Sequence, residues 1–150
     1  MSPVLVDTNI LVYAHDRSEP AKQGRAIALL DQLGAAGSAC LSTQVLGEFY
    51  TVATRPQRPL LSPRDAAEVV VRFCDTWPVL SVSAMIVAEA LRGAQLHRLG
   101  YWDAQLWATA RLHQVPAILS EDFSHRRRIE GVTFWNPFTP GFEWDGAGAA

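Results

Sequence analysis

The stretch Val4-Leu5-Val6-Asp7-Thr8-Asn9-Ile10-Leu11-Val12-Tyr13 constrains the fold more than any other. An apolar run enters an aspartate, and a helix-compatible apolar pattern follows. A short buried strand that ends on Asp7 and turns into a helix accounts for both halves. In an open α/β sheet, functional groups collect where strands end and helices begin. Asp7 stands at such a point.

The rest of the chain repeats the alternation. The apolar and turn patterns predict strands at 3–6, 39–41, 79–82, 116–119 and 132–135. They predict helices over 8–15, 20–35, 44–54, from 63 to about 76, from Ser83 to about 98, and from Asp103 to about His113. Ile27, Leu29, Leu30 and Leu33 mark the apolar face of the second helix, and Met85, Ile86, Ala90, Leu91 and Ala94 that of the fifth. Ser42 or Thr43 caps the third helix, and Ser62 with Pro63 opens the fourth. Gly100-Tyr101-Trp102 reads as a turn, 122–128 as a loop or single helical turn, and the Gly/Ala-rich stretch from Pro140 as a frayed tail. Trp135, Phe138, Phe142 and Trp144 read as core or partner-covered surface. Strands alternating with helices mean a mostly parallel sheet covered on both faces. One domain over 1–150, ordered over about 3–138, is the simplest organisation for 150 residues.

Composition excludes several classes. No apolar run reaches the ~18 residues of a membrane span, and a signal-peptide pattern is missing. Cys40 and Cys74 sit apart in apolar contexts and read as buried free thiols of a reducing cytoplasm. A formal charge of −2 argues against a simple nucleic-acid-binding module, but not against an enzyme whose acids hold metal ions. His15, His97, His113 and His125 are scattered, without zinc spacing.

Four acids form the pattern that carries chemistry: Asp7, Glu48, Asp103 and Asp122. Singly, each reads as a helix cap, a first-turn acid or a solvated side chain. Together, Asp7, Glu48 and Asp122 follow strands that share one edge of a parallel sheet. Asp103 can sit at that edge only if its helix, which leads into the strand at 117–119, packs with its N-terminus there, antiparallel to that strand as αβ connections require. Four carboxylates on one edge repel unless protonated or neutralised by a cation. All-oxygen ligation favours Mg²⁺ or Mn²⁺ over zinc.

These residues resemble a known family. Asp7-Thr8-Asn9 after an apolar strand, Glu48 on an early helix, the run Asp103-Ala104-Gln105-Leu106-Trp107-Ala108-Thr109-Ala110, and Ser120-Glu121-Asp122-Phe123 followed by Gly131-Val132 and Asn136-Pro137-Phe138 are similar to the PIN-domain nucleases. Length and layout resemble their VapC-type toxin branch, over about residues 3–138. The resemblance implies a three-layer α/β/α fold, Mg²⁺- or Mn²⁺-dependent endoribonuclease activity leaving 5′-phosphate and 3′-hydroxyl ends, a homodimer, and an inhibitory VapB-type antitoxin. It assigns Asp7, Glu48, Asp103 and Asp122 to the acidic quartet, and Thr8, Asn9 and Ser120 to its polar support. Glu121 is left outside the site.

On that reading Asp7 and Asp103 are the central metal ligands, and Glu48 and Asp122 bind directly or through water. Arg55, Arg58, Arg126, Arg127 and Arg128 are candidate RNA-phosphate contacts, set against a solvated loop and turn. Tyr101 and Trp102 are either a base-stacking pair or packing at a helix start. A receiver-like phosphoacceptor would want adjacent acids after the first strand and a late lysine, whereas Lys22 is the single lysine. A haloacid-dehalogenase-type phosphatase would want Asp at position 9, which is Asn. A catalytically silent PIN fold that binds RNA or protein is the other alternative.

Overall fold

A computed structural model describes residues 2–146. The elements run β1 (Val4–Val6), α1 (Thr8–Ala14), α2 (Pro20–Ala36), β2 (Ala39–Ser42), α3 (Thr43–Ala53), α4 (Pro63–Thr76), β3 (Val79–Leu80), α5 (Ala84–His97), α6 (Tyr101–Leu112), β4 (Ala117–Leu119), β5 (Arg128–Ile129) and β6 (Val132–Trp135). They form one six-stranded sheet in the order β3-β2-β1-β4-β6-β5, parallel except for β5. This is the expected α/β class.

The chain moves outward from β1 through β2 to β3, then returns to lay β4 on the other side of β1. The winding therefore reverses between β1 and β4, the place where open α/β sheets bind ligands. Val4, Leu5 and Val6 pair with Ala117, Ile118 and Leu119, so Asp7 and Ser120 leave the sheet side by side. All six paired residues are buried, as a doubly covered parallel sheet requires.

Several expectations are corrected. Ile27, Met85 and Leu91 point outward, with Met85 74% and Leu91 49% exposed. Ile86 and Ala90 face inward as expected, and Gly93 joins them in place of Met85 and Leu91. Small residues win there because α6 packs close: a Cβ on Gly93 would lie 2.3 Å from the Trp107 ring. Cys74 is exposed, because α4 turns Ala66 and Val69 inward instead; Cys40 is buried as expected. Burial pushes its thiol pKa up to about 11.

Tyr101 and Trp102 form the first turn of α6 rather than a preceding turn, with Gly100 as N-cap. Asp122 starts no helix. The strand at 79–82 shortens to Val79–Leu80, and β5, a two-residue strand, starts at Arg128, the last residue of the segment expected as a loop or single helical turn. Fraying does not begin at 140. Trp144 is buried, its carbonyl accepts from Gln32 Nε2 at 2.6 Å, and Arg25 Nη1 donates to the Pro137 and Phe142 carbonyls. Residues 147–150 of the expected tail lie outside the described residues. Trp135 belongs to the core, and Phe138 and Phe142 pack against it.

Candidate active site

Asp7 ends β1 and caps α1, its Oδ1 accepting from Thr8 N at 2.7 Å. Cap and candidate site residue are therefore the same side chain. Its Oδ2 accepts from Ser120 Oγ at 2.6 Å and Asn9 Nδ2 at 3.3 Å. Ser120 Oγ in turn accepts from Asp122 N at 3.1 Å and Asn9 Nδ2 at 3.3 Å. Asn9 Oδ1 accepts from Glu121 N at 3.3 Å. One serine and one asparagine thus fasten the loop after β4 to the end of β1, which fixes where Asp122 leaves the sheet.

Glu48 lies one turn into α3. Its Oε2 accepts from Thr8 Oγ1 at 3.1 Å and its Oε1 from Gln44 Nε2 at 2.9 Å. Gln44 is held from α6: Gln105 Nε2 donates to Gln44 Oε1 at 3.0 Å, and Tyr101 Oη donates to Gln105 Oε1 at 2.9 Å. Gln44 Nε2 also donates to the Trp102 carbonyl at 3.0 Å. A polar relay therefore joins the N-terminal turns of α3 and α6, beside Glu48 and Asp103.

All four acids line one pocket of about 440 Å³ at the C-terminal edge of the sheet, together with Thr8, Asn9, Gln44, Trp102 and Glu121. Their charges bear on one another. Burial raises the Asp7 pKa to about 7, against the bonds from Ser120 and Thr8 that lower it, with Asp122 and Glu48 repelling the charged form. The Asp103 pKa is also raised, by burial first and then by Asp122 and Glu48. Glu48 and Asp122 are thus the neighbours that Asp7 and Asp103 share.

A hard divalent cation suits this donor set. Every acidic donor is a carboxylate oxygen. Among the described residues, no hydrogen bond reaches the Asp103 or Asp122 carboxylate. No three His, Cys, Asp or Glu side chains among the described residues stand together as a ready-made metal cage. The four acids face one pocket without closing on a single point.

The arginines separate. Arg58 lines the pocket, but its Nη2 is bound to Ser18 Oγ and to the buried Asp16 carboxylate at 3.2 and 3.3 Å. Arg55 is exposed on the same loop, outside the pocket lining. Arg126 lies beside His125 and Phe142, and Arg127 is exposed. Arg128 pairs in register with Thr133 near the opposite edge of the sheet and lines a hollow with Pro3 and Pro116 there. A larger hollow of about 760 Å³, between α2 and the segment ending at Trp144, contains none of the four acids.

Sequence reasoning missed Gln44, Gln105, Tyr13 and Lys22. Glu121 lines the pocket but is occupied: Tyr13 Oη donates to its Oε1 and Lys22 Nζ to its Oε2, both at 2.6 Å. Only the pairing of distant segments reveals these partners; nothing in the local pattern of α2 marks Lys22.

The PIN domain model matches residues 4–130. The chain belongs to the PIN-domain family. Within it the VapC type is indicated by a mycobacterial relative, Ribonuclease VapC24 of Mycobacterium tuberculosis. It is 33% identical over 148 residues, covering 89% of this chain and 96% of the relative. Two solved structures share the fold. A toxin–antitoxin complex from Klebsiella pneumoniae aligns with TM-score 0.65 at 20% identity, over 90% of this chain and 98% of that one. VapBC2 from Rickettsia felis, bound to a DNA fragment from its promoter, aligns with TM-score 0.63 at 16% identity, over 89% and 98%.

Proposed function

We propose that the chain is a metal-dependent endoribonuclease, the toxin of a VapBC-type toxin–antitoxin pair. The observation that carries this reading is the convergence of Asp7, Glu48, Asp103 and Asp122, from four separate segments, on one pocket where the sheet winding reverses. The name of the mycobacterial relative supports ribonuclease activity. The Klebsiella and Rickettsia complexes support a VapB-type antitoxin as partner. A homodimer follows the family pattern.

Asp7 and Asp103 would hold Mg²⁺ or Mn²⁺, with Glu48 and Asp122 directly or through water. Such an ion, when bound, neutralises charge at the phosphoryl group and acidifies a water. The chain's own groups set the geometry. Ser120, Thr8 and Asn9 hold the Asp7 carboxylate, and Thr8 and Gln44 hold Glu48. Asp122 is exposed at the pocket, and it or Glu48 would orient the attacking water.

The test is cleavage of total RNA by the purified, antitoxin-free chain. Mg²⁺-dependent cutting is expected to disappear in Asp7→Asn and Asp103→Asn while circular dichroism stays unchanged. Full activity in either variant, with contaminating nuclease excluded, would sink the assignment.

A further inference from the structure

We infer that Trp102 is a base-stacking platform that seats an unpaired nucleotide next to the scissile phosphate. The inference rests on the ribonuclease reading above.

The two aromatics before Asp103 have different environments. Tyr101 is half-buried, packs against the core and spends its hydroxyl on Gln105. Trp102 is 63% exposed while lining the acid pocket, one residue from Asp103. An indole left largely in water at a pocket rim forgoes much of the burial that a large apolar side chain normally finds. Its backbone is nonetheless held. The Trp102 carbonyl is held by Gln44 Nε2, the residue sits in the first turn of α6, and the ring meets Tyr101 edge-on at 5.0 Å and 76°. The ring is thus presented to solvent on a fixed backbone beside the four acids.

Away from any ion the acids hold, side chains offer the pocket little to grip phosphate with, so stacking is the contact the lining adds. Of the residues lining the pocket, Arg58 is the one cation, and it already pairs with Asp16. Arg128 belongs to the opposite sheet edge. A duplex gripped through phosphates and 2′-hydroxyls would find one side-chain cation in this pocket, already paired, apart from any ion the acids hold. An unpaired base offers a π-face to an indole irrespective of sequence, and such stacking tolerates an acidic surround.

The experiment uses the full chain and a set of short single-stranded RNA oligonucleotides, each with one abasic ribose at a different position around the cut. Trp102→Ala is expected to raise KM about 5- to 150-fold with kcat little changed, the range that loss of one stacked base produces. Trp102→Phe should recover most of the loss. At one position, an abasic substrate should raise the wild-type KM by the same factor and leave Trp102→Ala no worse. That non-additivity is the signature of a stacked pair. Mn²⁺ binding by Trp102→Ala should match wild type, because the indole ligates nothing.

A wild-type KM in Trp102→Ala, or additive losses at every abasic position, overturns the inference while leaving the ribonuclease reading intact. The same holds if the variant cuts normally but loses affinity for an antitoxin, which would assign the indole to a protein interface. A wild-type chain that cuts none of the oligonucleotides or total RNA removes the ribonuclease reading and this inference with it.

Discussion

Ser120 donates to Asp7 Oδ2 at 2.6 Å, across the two strands where the sheet winding reverses. The same oxygen of Ser120 accepts from Asp122 N, so one hydroxyl positions two of the four acids. Ser120→Ala removes that donor and leaves Asp122 N without its acceptor. Loss of an outer-shell partner of a metal ligand typically costs about 10- to 100-fold in activity or metal affinity. We expect that loss in RNA cleavage, and Ser120→Thr to keep part of the activity. Equal rates for wild type and Ser120→Ala would show that Asp7 is positioned by other contacts.

Asp7 makes the metal-free protein pH-sensitive. Its folded pKa, raised to about 7 mainly by burial, lies above the ordinary aspartate value. Between these values the folded state holds more protons than the unfolded one, so stability falls as pH rises. The loss begins near pH 4 and is complete above about pH 7, at up to about 4 kcal/mol for three pKa units. Urea unfolding in EDTA should therefore give a lower midpoint at pH 8 than at pH 5, and Asp7→Asn should reduce the trend, with Asp103, whose pKa is also raised, contributing the same sign. Asp16 and Glu130, whose pKa values are lowered, act with the opposite sign and below the ordinary carboxylate range. An identical trend in wild type and Asp7→Asn would remove Asp7 as its cause.

Gln105 is buried on α6 yet acts on a glutamate of α3 through Gln44. Gln105→Leu conserves approximate volume but severs the relay. RNA cleavage should drop about 10-fold or more, with the thermal midpoint moved little and Gln44 left to reorient. Unchanged kcat in this variant would mean that Thr8 alone fixes Glu48.

Gly93 is required by its neighbour, not by its backbone angles. An added Cβ would stand 2.3 Å from a Trp107 ring atom, and that ring is fully buried and donates Nε1–H to the Ile129 carbonyl. Gly93→Ala gains about 1 kcal/mol of helix propensity and loses about 1–3 kcal/mol or more to overpacking. A net loss is expected because the ring cannot shift without breaking its hydrogen bond. Thermal unfolding should show a midpoint lower by several degrees; an unchanged or higher midpoint would contradict the packing argument.

The frame of the molecule was legible because burial writes itself into short runs. Val4–Val6, Ala39–Leu41 and Ala117–Leu119 are apolar stretches too short for helices, each leading to an acid. That pattern was enough to bring Asp7, Glu48 and Asp122 to one edge, and the chain direction of α6 added Asp103. What was not legible depends on how helices cross. The inward face of α5 is chosen by the approach of Trp107, so Met85 and Leu91, larger and more apolar than Gly93, lose to it. The Gln44–Gln105 pair spans two helices, and Lys22–Glu121 spans 99 positions. Long polar side chains carry no periodic signal of their partners. The fraying expected from Pro140 failed through residue 146 because Trp144 finds a buried seat beside Trp135 that a Gly/Ala-rich context does not announce.

The four acids are expected to bind one or more divalent cations jointly. Calorimetric titration of the antitoxin-free chain with Mn²⁺ tests it most directly, run beside Asp7→Asn and Asp103→Asn. Saturable binding by the wild type, lost or weakened at least tenfold in both variants, is the predicted result. No binding by the wild type, or equal binding by all three proteins, would contradict it and favour a catalytically silent PIN fold.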